Sequence, residues 1–130
     1  MIRILIILTI ILFISCDEIP SEKQIYGVWK GDFQGKEIMF KFESNSTCIL
    51  SFTNLSSSSV LLLNGNYEMD FSKKPITLSV RNIPNLSHPL HTIVDFVDIN
   101  SIKLANFAPR WRVRPISFDH SKSINLKRSK

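Results

Sequence analysis

Beyond residue 25 the chain alternates apolar and polar residues with a period of two, and no feature constrains its fold more. Ile38, Phe40 and Phe42 share one face of their run. Cys48, Leu50 and Phe52 point together while Thr47, Ile49, Ser51 and Thr53 point away, and Ile76, Leu78 and Val80 repeat the pattern. An amphipathic helix would instead need an apolar stripe recurring every three to four residues. No such stripe of useful length follows Cys16. The runs are rich in Ile, Val, Phe, Thr and Tyr and are parted by Gly, Pro, Asn and Ser, which is strand and turn chemistry.

Trp29, Gly31 and Phe33 fall on one side of the first run, before a Gln34-Gly35 turn, and Ser44 to Ser46 make the next turn. The serine-rich loop Asn54 to Ser59 leads into VLLLNGNYEMDF, where two readings stand. Asn64-Gly65 closes a type I′ hairpin, or Gly65 is a bulge or bend in one long strand where a side chain would crowd its neighbour. After the loop NIPNLSHPL, strands are expected near His91 to Val97, Ile102 to Phe107, Val113 to Phe118 and Ser123 to Arg128. Eight to ten short strands at roughly 10-residue spacing predict an all-β domain. Closing them into a small antiparallel up-and-down β-barrel removes exposed edges.

The first fifteen residues read as an address. Arg3 is followed by the apolar run Ile4 to Ile14, interrupted only by Thr9. A spanning helix needs about 20 apolar residues, so this run has signal-peptide length. Phe13-Ile14-Ser15-Cys16 resembles the bacterial lipobox, with Phe13 where leucine is usual. That resemblance implies lipidation of Cys16 and a lipid-anchored protein of the bacterial cell envelope, facing outside the cytoplasm. The expected organisation is a lipoprotein signal peptide at 1–15, the lipidated cysteine and a polar tether at 16–24, and the barrel at 25–130. Cys16 and Cys48 are the two cysteines. A lipid on Cys16 leaves Cys48 no partner in the chain, whereas an unmodified Cys16 in an oxidising compartment leaves a bridge to Cys48 open.

The chain carries 16 Lys and Arg against 11 Asp and Glu, net +5. The excess is concentrated late: Arg110, Arg112, Arg114, Lys122, Lys127, Arg128 and Lys130 oppose only Asp119 between residues 110 and 130. Arginines interleaved with Trp111 and Phe118 suit nucleic acid, but an export signal argues against that partner. Anionic lipid headgroups or plain solvation account for the same residues.

Gly27-Val28-Trp29 in the opening strand, Gly65-Asn66-Tyr67 in mid-chain, and Arg114-Pro115-Ile116-Ser117-Phe118 ahead of Asn125-Leu126-Lys127-Arg128 resemble short bacterial lipocalin-like domains of the calycin group. The likeness spans residues 25 to 128. It implies that Trp29 sits at the closed end of the barrel and that a late basic side chain packs across it, with Arg128 the matching partner and Arg112 or Arg114 the alternatives. An arginine on an indole face gains about 0.5 to 2 kcal/mol.

Catalytic and metal chemistry find little support. His88 and His91 stand three apart across Pro89-Leu90, and only His120 and scattered carboxylates such as Asp95 remain to complete a metal site of three or four ligands. Exposed loop histidines are the plainer expectation. Ser87, His88 and Asp95 supply triad residue types, but a triad is defined by geometry. Four glycines spread over isolated turns make no phosphate loop. The expectation is therefore a non-enzyme without metal or cofactor. Two functions follow: a carrier of a small apolar or amphipathic ligand, or a protein-interaction module, an inhibitor or envelope assembly factor, working through its rim loops. Trp29, Phe33, Phe40, Phe42, Leu50, Phe52, Leu78 and Leu104 are expected inside, and they crowd a short barrel toward a filled core.

Overall fold

The computed structural model describes residues 21–129. Cys16 and the leader lie outside the described residues. A one-turn helix, α1 (Glu22–Ile25), is followed by eight strands: β1 (Gly27–Phe33), β2 (Lys36–Phe42), β3 (Thr47–Asn54), β4 (Val60–Asp70), β5 (Ile76–Arg81), β6 (Leu90–Asp98), β7 (Ser101–Leu104) and β8 (Ile124–Arg128). Each pairs antiparallel with the next, and β8 returns to β1, giving a closed up-and-down barrel. The period-two alternation becomes inward and outward faces. Trp29, Phe40, Phe42, Leu50, Leu78 and Leu104 are all buried inside with Ile38, Val80, Ile102 and Leu126, while Phe33 and Phe52 are half-buried against them. Burying each large apolar side chain is worth about 1.5 to 3 kcal/mol, so this interior is the main source of stability.

The barrel has two unlike ends. Trp29, α1, the β2–β3 turn and the end of β8 form a closed end. The β1–β2, β3–β4 and β5–β6 connections and the long β7–β8 connection lie at the opposite mouth. The final residues of the segment read as tether, Glu22 to Gln24, are part of α1, whose Ile25 is fully buried.

Three stretches resolve differently from the sequence expectation or decide between its alternatives. VLLLNGNYEMD is one strand, not a hairpin, and a Cβ on Gly65 would come within 2.7 Å of the Arg81 carbonyl oxygen and 2.9 Å of Val80 Cγ1. The close approach of β5 is what requires glycine there. Val113 to Phe118 is not a strand: Trp111–Val113 is a 3₁₀ turn and no ladder follows before β8. Pro115 has no N–H to contribute to a ladder, and Asp119 turns the chain through bonds from the Ser121 backbone N–H and hydroxyl. β7 ends at Leu104 rather than Phe107, because the register slips before the chain rejoins β6 at a single His91–Ala108 bridge.

Candidate functional site

At the closed end the first and last strands meet around one arginine. Trp29 and Arg128 are register partners across β1 and β8, and the guanidinium lies 4.2 Å from the indole centroid. The same guanidinium donates to the carbonyls of Tyr26 and Gln24, at 2.6 Å each, and of Ile99 at 3.2 Å. Trp29 Nε1 donates to the Ile25 carbonyl at 2.9 Å. These bonds satisfy carbonyls that a one-turn helix leaves without internal partners, and they hold α1 across the barrel floor. Arg128 is thus a clamp, not a reagent: its donors are taken up by backbone oxygens. Of the two alternative partners, Arg114 stacks on Trp111 instead, 3.8 Å from its centroid, and Arg112 is exposed.

The mouth holds a cleft of about 360 Å³ lined by Lys36, Phe52, Asn54, Ser59, Leu61, Leu63, Leu90 and Phe107. Its floor is aromatic, since Phe40 meets Phe52 and Phe107 edge-on at 5.5 and 5.9 Å. Beside Phe40 lie its register partners Trp29 and Leu50, and Phe42 follows toward the closed end, all fully buried. An apolar occupant can therefore enter only the upper barrel, with Lys36 the one charged group on the lining. Of these residues only Phe52 is legible as an inward residue from the sequence. Leu61 and Leu63 are assigned by the register of β4 on β3, Phe52 opposite Leu61 and Leu50 opposite Leu63. Phe107 is brought in by the slipped continuation of β7.

The histidines do not converge. His88 and His120 are exposed, as expected of loop residues. His91 corrects that expectation: it is buried on β6, shares a 2.7 Å hydrogen bond between its Nδ1 and Ser79 Oγ, and meets the edge of Trp111 at 5.6 Å. The residue points outward by strand parity, and the chain after Ala108 folds back to cover it. Burial, reinforced by the charges of Arg81 and Arg114, pushes the imidazole below its ordinary value of 6.5. Asp95 is exposed and in register with Lys103. Among the described residues no cluster of three or more His, Cys, Asp or Glu is arranged to hold a metal ion.

Cys48 is buried, and desolvation pushes its thiol up to about 11. A thiol so shielded is protonated and unreactive at neutral pH. Compared with protein-family models, with curated proteins and with solved structures, the chain matches none.

Proposed function

We propose that this is a lipid-anchored, lipocalin-like protein of the bacterial cell envelope, held to a membrane through Cys16, whose barrel mouth binds a small apolar or amphipathic ligand without catalysing a reaction. The observation that carries the ligand reading is the mouth cleft. Apolar and aromatic side chains line it with a single cation at the rim, and its volume lies toward the small end of the ~300 to 1,000 Å³ usual for ligand pockets. Shape and charge favour a short acyl or aromatic body with an anionic head placed near Lys36. The clamp of Arg128 on Trp29, with α1 across the floor, supports the calycin likeness and closes the end opposite the entrance.

Two measurements test this reading on the full chain purified from membranes in mild detergent. A fluorescent medium-chain fatty acid is expected to bind saturably. Lys36→Glu should weaken it about fivefold, the scale of one exposed charge pair, and should leave the matching neutral alcohol unaffected. Leu90→Asp should weaken both. Equal binding to all three proteins would refute the site. Cys16→Ser should abolish incorporation of labelled acyl chains and release the protein from membranes.

The second reading, a protein-interaction module, draws on the filled lower core and on the exposed Leu55, Val60, Leu61 and Leu62 beside the mouth. A partner recovered with the wild-type chain, together with failure of the fatty-acid probe, would favour it.

A further inference from the structure

The barrel closes through only part of β4. Its partner β5 covers Asn66 to Asp70, whereas β3 covers Val60 to Asn66. Among the described residues, Val60 to Asn64 therefore has a strand on one side only. β5 cannot extend over it, because the chain turns off at Asn82, with φ 57°, and Pro84 follows. Alternate N–H and C=O groups of this half-strand face outward, as on any sheet edge.

Exposed edges are ordinarily blunted with lysine, proline or a bulge, and this one has none of them. From Ser44 to Tyr67 the chain contains no Asp, Glu, Lys, Arg or Pro. Val60, Leu61 and Leu62 are 58, 57 and 56% exposed. Parity assigns Leu61 and Leu63 to the cleft and Val60, Leu62 and Asn64 to the outside.

We infer that this edge is the interface of a symmetric homodimer, in which Val60 to Asn64 pairs antiparallel with the same segment of a second copy. Two features select a second copy over another partner. A two-fold axis at Leu62 sets Leu62 against itself and Leu61 against Leu63, so the three-leucine centre of the strand is its own apolar complement, with Val60 against Asn64 at its margins. In addition, the chain carries net +5, and two identical cationic bodies meet at least cost where the surface bears no charge. An acidic or basic partner would find no countercharge on this strand. The pairing is made through the backbone, with Leu62 meeting Leu62 on the outer face and Leu61 meeting Leu63 on the cleft face, and it does not depend on whether the mouth binds a ligand.

Cysteine cross-linking of the full chain reads this register directly. Leu62→Cys is expected to form a covalent dimer with a short bismaleimide at least tenfold faster than Lys73→Cys, an exposed residue at the closed end, with the wild-type chain as blank for its native cysteines. Leu62→Lys, at a site already over half exposed, should keep the circular dichroism and melting of the parent yet sediment as a monomer at concentrations where the wild type is dimeric. A wild type that stays monomeric at high micromolar concentration, or equal cross-linking at 62 and 73, overturns the inference. So does a Leu62→Lys chain that remains dimeric, or an edge occupied by a different protein.

Discussion

Arg128 shows how much of a small barrel can depend on one side chain. Its guanidinium spans the Trp29 ring and backbone carbonyls from α1 and the β6–β7 turn. Hydrogen bonds from a charged donor contribute about 1.5 to 3 kcal/mol and the ring contact about 0.5 to 2. These are not additive at a half-exposed site, so Arg128→Ala is expected to cost about 3 kcal/mol, measured as the shift in urea unfolding. Arg128→Lys should restore less than half of it, since an ammonium cannot fork to two carbonyls while lying flat on an indole. A loss under about 0.5 kcal/mol would mean that water replaces the bonds without penalty. The sequence carries the G-x-W and the terminal arginine but not their contact: that required β8 to return beside β1.

At the scale of elements, the informative case is the segment after β7. It rejoins β6 at Ala108, then folds Trp111 and Arg114 over the outer face of β5 and β6. Outward residues that alternation marks as polar-facing, Ser79 and His91, become buried beneath it. Their hydrogen bond satisfies both polar groups, and Arg81 and Arg114 oppose a charge on the ring. Because the folded imidazole titrates below its ordinary value of 6.5, the unfolded chain binds the proton first as pH falls. Stability contributed by the neutral ring is present above pH 6.5 and is lost progressively below it. Urea unfolding between pH 7.5 and 5.5 should show this decline, and His91→Gln should flatten it. Glu43, Asp70 and Asp119, held low mainly by hydrogen bonds from Lys41, Ser72 and Ser121 respectively, act in a separate window. Their contributions are lost only as pH falls through the ordinary carboxylate range, from about 4.5 downward. A slope above pH 5.5 that survives in His91→Gln would point to another group.

Across the whole molecule, closure rests on the β1–β8 seam, which has only Trp29–Arg128 and Lys30–Lys127 in register. Gly31 extends the seam by letting the backbones approach: a Cβ there would lie 2.3 Å from the Asn125 carbonyl oxygen and 2.9 Å from Leu126 Cδ2. Backbone cannot yield as a side-chain tip can, so Gly31→Ala should cost about 3 kcal/mol or more, the upper range for overpacking. Hydrogen exchange should locate the loss in β1 and β8 before the other strands. Uniform loss across all eight strands would instead show the barrel unfolding as one unit. Away from the seam the ladder is also incomplete: among the described residues, the short β5 leaves Val60 to Asn64 of β4 paired only with β3 and Asp95 to Asp98 of β6 paired only with β7.

The all-β character, the strand runs and most of the interior were legible in the chain itself, because a period of two places every second side chain on one face whatever the neighbours are. Phe40, Phe42, Leu50 and Leu78 follow from parity alone. Local chemistry also marks the turns at Gln34-Gly35 and Ser44 to Ser46. Only the tertiary structure decided that Gly65 lies within one strand, close against β5, instead of closing a hairpin, that Val113 to Phe118 is irregular, that His91 is covered, and that Leu61, Leu63, Leu90 and Phe107 share a cleft. Each depends on which segment lies across from another, and a backbone hydrogen-bond ladder or a chain folded over a face is a property of two distant stretches brought together, which neither stretch encodes by itself.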